Sequence, residues 1–153
     1  MQKAAQTYST LLFLCLTLFT ACVSEPADEK GLKDVSSFPV GGAVEIRQVM
    51  QDSALRDIIL KNFNSITATS DMKMYAIAPR DSVYNWDKAD SLVDFSQKND
   101  LRLFGHTLVW HSQTPDWVFH REDGSRKSRE ELLLLMKNHI DTVAGRYKNR
   151  LYG

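Results

Sequence analysis

Cysteine is scarce in this chain, whose 153 residues include only Cys15 and Cys22. Cys15 lies in an apolar N-terminal run that would be removed on export. The mature chain would then hold no thiol pair for a disulfide and no cysteine metal site. Neither sign of charge dominates, because 19 basic side chains are matched by 19 acidic ones. This balance argues against a nucleic-acid partner and is compatible with a neutral polymer.

Several sequence patterns are also missing. The chain has no internal repeat, no Gly-x-Gly-x-x-Gly segment and no phosphate-binding loop, so nothing favours a nucleotide-binding domain or a nucleotide cofactor. The N-terminal apolar run, residues 11–19, is shorter than the stretch of about 20 residues that spans a bilayer. A transmembrane helix is therefore not predicted there.

Residues 1–21 are instead predicted to form a signal peptide. Lys3 precedes the apolar run, and the small residues Thr20 and Ala21 come directly before Cys22. This order is typical of a lipoprotein signal, in which Cys22 becomes the lipidated N-terminus. The polar residues 22–37 would tether the folded part to the outer membrane or cell surface. The alternative is an ordinary secretory signal cleaved near Ala21, which would give a secreted or periplasmic protein.

From Phe38 onward the sequence alternates between strand and helix patterns. Strands are predicted at residues 38–46, 65–69 and 101–110, with a fourth opening at Leu151. Helices are predicted at residues 51–63, 88–98 and 129–147. Residues 38–153 should therefore form one α/β domain with parallel strands and right-handed crossovers. This alternation fits a barrel and a doubly wound sheet equally, and both place the ligand at the carboxyl ends of the strands.

The helix starts carry capping signals. Asp52 and Asp87 are the predicted N-caps of the first two helices, and Ser128 with Glu131 forms a capping box at the third. His139 lies on the core-facing side of the third helix and is expected to be a buried structural residue. The apolar stripes expected to face the core are Leu55, Ile58, Ile59 and Phe63 in the first helix; Ala89, Leu92, Val93 and Phe95 in the second; and Leu132, Leu133, Met136, Ile140, Val143, Ala144 and Tyr147 in the third.

The most unusual segment is residues 103–117, LFGHTLVWHSQTPDW. Strand alternation would place His106 and Trp110 on one face, with His111, Gln113 and Trp117 in the loop that follows. Either His106 or Trp110 alone would be read as a packing residue. Polar groups beside flat aromatic faces are, however, what a sugar ring requires, since its edges form hydrogen bonds and its faces are apolar. The segment therefore predicts a carbohydrate site.

The same segment resembles the strand-three motif of the glycoside hydrolase family 10 xylanases, G-H-T-L-V-W-H-S-Q-x-P-x-W. Residues 63–74 (FNSITATSDMKM) are similar to the strand-two motif of that family, and residues 136–148 to its helix before strand four. The resemblance implies a TIM (β/α)8 barrel that cleaves β-1,4-xylan with retention and needs no cofactor. Its partner would be xylan or a xylo-oligosaccharide. The side chains that would hold the xylose units nearest the cleavage point are Lys73, His106, Trp110, His111 and Gln113.

Two departures from the family qualify this expectation. Thr69 and Ser70 stand where the family carries Glu-Asn, which bind the sugar one unit further out. The family's acid/base and nucleophile glutamates lie at the ends of strands four and seven, and this sequence stops at Gly153, before both. The chain is thus expected to be the N-terminal three βα units of a barrel of about 250 residues, and to be inactive and poorly folded by itself. None of Glu45, Glu122, Glu130 and Glu131 is expected at a strand end that could replace them.

Two other functions compete with the enzyme interpretation. One is a non-catalytic surface lipoprotein that binds xylan. The other is a metal site made of His106, His111 and His120. We expect no such site, because two histidines five residues apart on a strand face opposite ways.

Overall fold

A computed structural model describes residues 29–153. The predicted signal peptide, Cys22 and the first part of the predicted tether lie outside these residues. The described elements, in chain order, are α1 Leu32–Val35, β1 Gly41–Val44, α2 Ile46–Gln51, α3 Ser53–Asn62, β2 Ser65–Ala68, α4 Met74–Ile77, α5 Asp87–Lys98, β3 Arg102–Phe104, a 3-10 turn Asp116–Val118 and α6 Arg129–Arg146.

The three strands form one parallel sheet in the order β1-β2-β3, which confirms the predicted order and direction. Gly41 pairs with Ser65 at the start of β1, and Ser65 pairs with Arg102 at the start of β3. Helices lie between successive strands, as parallel pairing requires. All three strands therefore end at the same edge of the sheet.

The strands are shorter than predicted, and β3 differs most. The alternating pattern predicted a strand through Trp110, but β3 ends at Phe104. Its ladder with β2 extends only to the pair Thr67–Phe104, and β2 itself ends at Ala68. Alternating side chains therefore do not extend a strand where its neighbour turns away. His106 and Trp110 belong to the loop that follows β3, so the argument that placed them on one strand face was wrong.

The end of the chain lies along the other edge of β3. The Tyr152 amide donates to the Leu103 carbonyl at 2.8 Å, and the Gly105 amide donates to the Gly153 carbonyl at 2.7 Å. A Cβ at Gly105 would lie 2.8 Å from a methyl group of Leu151. Gly105 thus permits close approach of the last residues.

The region between β1 and β2 contains a helix that the sequence did not predict, α2. Asp52 caps the next helix, α3, as predicted, with Oδ1 accepting from the Leu55 amide at 3.0 Å. Ile59 of α3 is buried, whereas Ile58 is 56% exposed, against the prediction that both face the core. The break at Asp52 rotates α3 relative to α2, so each short helix buries its own few residues.

Residues 31–36, which the sequence assigned to the tether, pack against α3. The Leu32 amide donates to Asn62 Oδ1 at 3.2 Å, and Lys33 Nζ donates to the Leu60 carbonyl at 2.6 Å. Lys61 also forms an ion pair with Glu29 at 2.9 Å. Ordered structure therefore begins before Phe38, because hydrogen bonds between side chains and backbone groups join this segment to α3.

The later helices match the prediction more closely. The capping box of α6 is confirmed, since Ser128 Oγ accepts from the Glu131 amide and the Glu131 carboxylate accepts from the Ser128 amide. At α5, however, Trp86 occupies the N-cap position that we predicted for Asp87. On α6, Leu133 is 42% exposed and Ala144 is exposed, so two members of the predicted stripe were wrong.

The core lies between the sheet and the helices. Its largest buried side chains are Ile66 and Leu103 from the sheet, and Ile59, Leu92 and Tyr147 from or just beyond the helices. His139 is also buried, and burial lowers its pKa. Within residues 29–153, no helix combines the length and apolar character needed to cross a membrane.

Candidate carbohydrate-binding site

The candidate site begins where β2 ends. The Lys73 amide donates to the Ser70 carbonyl at 3.0 Å, which closes a turn directly after the strand. Lys73 is the N-cap residue of α4. Its ammonium group reaches the loop after β3 and donates to Gln113 Oε1 at 2.6 Å. The carboxyl ends of two adjacent strands are thus joined by a lysine and an amide.

Trp110 is the aromatic surface of this site. Lys73 Nζ lies 4.7 Å from the centroid of its ring, and the rings of His106 and His111 lie 5.8 Å and 5.4 Å from it. Trp110 nevertheless remains 37% exposed. The structure therefore brings all five predicted side chains, Lys73, His106, Trp110, His111 and Gln113, together around one accessible indole. Their role in binding sugar stays a prediction.

Gln113 is held in place by an unusual backbone conformation. Its φ is +56°, in the left-handed region that non-glycine residues seldom adopt. The turn around it is closed by Thr114, whose hydroxyl donates to the Trp110 carbonyl at 2.6 Å. Strain of this kind persists only where surrounding contacts fix the backbone, and it concentrates at functional sites. The loop therefore presents Trp110 and Gln113 from one rigid turn.

The segment that follows Gln113 anchors this loop to the rest of the structure. Trp117 donates its indole N–H to the Ala78 carbonyl at 3.1 Å, and Lys127 Nζ donates to the Trp117 carbonyl at 2.6 Å. Trp117 packs with Met74 and Val118 in a small core cluster. It thus helps to anchor the loop that carries Gln113.

Glu45 is a candidate site residue that the sequence pattern did not reveal. The pattern predicted Glu45 within the first strand, but β1 ends at Val44, so Glu45 follows a strand end directly. Ser70 Oγ donates to Glu45 Oε1 at 2.9 Å, and the Thr69 amide donates to the Val44 carbonyl at 2.9 Å. Glu45 therefore does lie at a strand end; that it does not replace either catalytic glutamate of the family stays a prediction. The signal that could have found it is the position of Ser70, which follows β2 just as Glu45 follows β1.

Asp71 has a structural role next to this pair. It is buried, and its Oδ2 accepts from the amide of Ile46, the first residue of α2, at 2.7 Å. A carboxylate at a helix N-terminus stabilises the unpaired amides there. This contact fastens the end of β1 to the end of β2 and leaves Asp71 committed to the backbone.

The positions of the histidines bear on the metal site considered above. In the part of the chain that the structure describes, no group of three or more His, Cys, Asp or Glu side chains is arranged to hold a metal. His120 instead contacts Asp116 at 2.9 Å. Our reason for excluding a shared ion was nevertheless wrong, because His106 and His111 do not lie on a strand but flank Trp110 in a loop.

Residues 31–153 match the family model of Glycosyl hydrolase family 10. Among curated relatives, Endo-1,4-beta-xylanase B of Paenibacillus barcinonensis is 43% identical over 117 residues, which cover 76% of this chain and 34% of the relative. Endo-1,4-beta-xylanase A of Xylanibacter ruminicola is 37% identical over 143 residues, which cover 91% of this chain and 39% of the relative. The chain thus spans between a third and two fifths of the length of these relatives.

Solved structures agree with this likeness. A psychrophilic family 10 endo-beta-1,4-xylanase superposes with a TM-score of 0.75 at 40% identity, over 81% of this chain and 38% of that one. A mutant solved in complex with xylotriose superposes with a TM-score of 0.70 at 37% identity, over 75% of this chain and 34% of that one. The three βα units described above therefore correspond to part of a TIM barrel.

Proposed function

Because this chain belongs to glycosyl hydrolase family 10, we propose that it serves in the hydrolysis of internal β-1,4-xylosidic bonds in xylan. Its described residues would supply part of the substrate cleft. The relatives named above are endo-1,4-beta-xylanases, and one similar structure holds xylotriose. A neutral xylo-oligosaccharide also suits a chain with no excess of either charge.

The observation that carries this proposal is the cluster of Lys73, Trp110 and Gln113. Trp110 offers an exposed aromatic face, on which the apolar face of a pyranose ring can lie. Lys73 carries three donors, of which one goes to Gln113. The two remaining donors of Lys73, and the amide N–H groups of Gln113, would bond the hydroxyl groups at the ring edge.

We propose that residues 1–153 bind the sugar without cleaving it. Retaining hydrolysis requires two carboxyl groups about 5–5.5 Å apart, one acting as acid/base and the other as nucleophile. The resemblance places both glutamates in family motifs that these 153 residues do not contain. The cluster around Trp110 would therefore hold the xylose units next to a bond that other residues attack.

Titration of the chain with xylotriose, followed by NMR, tests both parts of this proposal. We expect saturable binding that is weakened about tenfold by Lys73→Met, since hydrogen bonds from a charged donor contribute about 1.5–3 kcal/mol. Lys137→Met is the matched control, because Lys137 lies on α6 and pairs with Asp141. The same samples should show no cleavage of xylotriose over hours.

Each other outcome has a definite meaning. Absence of binding by a chain whose circular dichroism shows the folded state, or equal affinity in the wild type and Lys73→Met, would overturn the proposed site. Cleavage by the 153 residues would show that they contain a carboxyl pair of their own. Binding without cleavage by a chain that also carries the family's two catalytic motifs would favour the non-catalytic xylan-binding lipoprotein.

We also propose that the protein is exported and anchored by lipid on Cys22, which lies outside the described residues. The support is the sequence order of apolar run, small residues and cysteine. Expressed in a Gram-negative host, the wild type should partition into detergent, and Cys22→Ser should be released or left unprocessed. Recovery of the wild type as a wholly soluble protein beginning at Val23 would contradict the anchor.

A further inference from the structure

The Glu45 carboxylate is not used to cap the helix that it precedes. It occupies the N-cap position of α2, yet its carboxylate makes no capping hydrogen bond. Asp71 satisfies the Ile46 amide in its place. The carboxylate of Glu45 is instead turned toward the end of β2, where Ser70 Oγ donates to Oε1 at 2.9 Å. The Glu45 carbonyl accepts from the Gln48 and Val49 amides of α2, but the Glu45 carboxylate takes no part in holding that helix.

The backbone around Glu45 is fixed on both sides. The carbonyl of Val44 accepts from the Thr69 amide, and the amide of Ile46 donates to buried Asp71. With the hydroxyl of Ser70 also in contact, the direction of the Glu45 side chain is set by the neighbouring strand. Glu45 is only half-buried, so solvent and solutes reach it.

The carboxylate also has unused bonding capacity. An ionised carboxylate accepts about four hydrogen bonds, and within residues 29–153 Ser70 is its one side-chain donor. No lysine, arginine or histidine of the described chain lies within 4.0 Å of Glu45, since it takes part in none of the ion pairs there. An acceptor of this kind suits the hydroxyl groups of a sugar, each of which carries a donor.

Glu45 and the Lys73–Gln113 pair stand at opposite ends of one row. The row follows the strand ends from β1 through Ser70, which is bonded to Lys73 through the backbone, to the loop after β3. Strands β1 and β3 are two sheet spacings apart, about 10 Å. That span exceeds one sugar ring, so a ligand that lies along the strand ends from the β3 end to the β1 end has at least two units.

The geometry points to Glu45, positioned by Ser70, as the residue that binds the second sugar unit, next to the unit held by Lys73 and Trp110. This assignment rests on the proposed function, because it concerns the same cleft. Glu45 would then raise the affinity for xylobiose over that for xylose. The first unit would be bound by Lys73 and Trp110. Ser70 is a positioning residue, since it acts through the carboxylate of Glu45.

The test compares the affinities of the full chain for xylose and xylobiose by NMR titration. Glu45→Gln should weaken xylobiose about tenfold, as expected for the loss of charge-assisted hydrogen bonds, and should leave xylose unchanged. Ser70→Ala should weaken xylobiose in the same sense by about threefold, because the carboxylate stays but loses its fixed direction. Glu122→Gln is the matched control, since Glu122 is exposed on a distant loop and should change neither affinity.

The outcomes separate this inference from the proposal beneath it. If the wild type binds neither sugar, the proposed function fails. If the wild type binds both sugars and Lys73→Met weakens both, but Glu45→Gln and Ser70→Ala leave xylobiose unchanged, the function stands and the inference falls. An equal loss for xylose and xylobiose in Glu45→Gln would also overturn it, because Glu45 would then act on the first unit. Circular dichroism of each variant checks the fold, and Ser70→Ala keeps the test decisive if Glu45→Gln does not fold.

Discussion

Each of the three tryptophans in this chain lies against a cation, and the surroundings of Trp86 and Trp110 differ most clearly. The guanidinium carbon of Arg146 is 4.6 Å from the ring centroid of Trp86, and Lys73 Nζ is 4.7 Å from that of Trp110. Arg146 is also paired with Asp90 through two hydrogen bonds. Lys73 bonds a neutral amide and, in the described chain, forms no ion pair with a carboxylate.

The difference separates a structural cluster from a binding site. Around Trp86, Tyr84 stacks at 4.9 Å and Tyr147 packs edge-on at 6.0 Å, so the ring faces are covered by protein. Around Trp110 the contacts come from histidines at the edges of an exposed loop. A cation–π contact by itself therefore indicates neither role. What distinguishes the two roles is whether hydrogen-bonding groups beside the ring are already paired with protein, as at Trp86, or still have donors to offer, as at Trp110.

Replacement of the two tryptophans gives the largest expected contrast. Trp86→Ala should lower the free energy of unfolding by about 3 kcal/mol, because it removes packing against the core and leaves a cavity. Trp110→Ala should lower it by less than about 1 kcal/mol, since that ring is partly exposed. Urea-induced unfolding measures both. Equal destabilisation by the two changes would show that Trp110 is a packing residue like Trp86, which would contradict the distinction between the two sites.

Sequence patterns predicted the features that depend on neighbouring residues. The capping box of Ser128 and Glu131 spans one helical turn, and Asp52 caps α3 across three residues. The order of the strands followed from alternation of strand and helix, because short crossovers leave few arrangements. The grouping of Lys73 with Trp110 and Gln113 came from motif resemblance, since these residues are far apart in sequence.

The features that were missed depend on contacts between distant segments. Asp71 caps α2 from 25 residues away, and Glu45 meets Ser70 across the same separation. The early end of β3 depends on where β2 turns, which the pattern of residues 101–110 does not contain. The contact of Arg146 with Asp90 joins residues 56 apart. Such contacts are set by how elements pack, so no local pattern predicts them.

The pairing of Asp90 also has a consequence for acid stability. The hydrogen bonds from Arg146 hold the pKa of the Asp90 carboxyl below its ordinary value of 3.8, partly offset by burial, and the Tyr147 hydroxyl adds a further donor at 2.9 Å. A group with a lowered folded-state pKa stabilises the fold above its unfolded-state pKa. That stabilisation is lost as the pH falls through the lower, folded-state value.

A smaller contrast is expected between Asp90→Asn and Lys73→Met, which sharpens the comparison between the two cations. At pH 7 the change should lower the free energy of unfolding by about 1–2 kcal/mol, since it weakens charged hydrogen bonds at a partly exposed site. The deficit should shrink as the pH falls below the ordinary carboxyl pKa of 3.8, because the unfolded wild-type chain is protonated there first and the folded carboxylate only at its lower pKa. Lys73→Met is the control and should change stability by less than about 0.5 kcal/mol at either pH. Urea unfolding at pH 7 and near pH 3 measures both variants. A deficit that stays constant between the two pH values would show that Asp90 acts through its shape and not its charge. The carboxylate would then not distinguish the surroundings of Arg146 from those of Lys73.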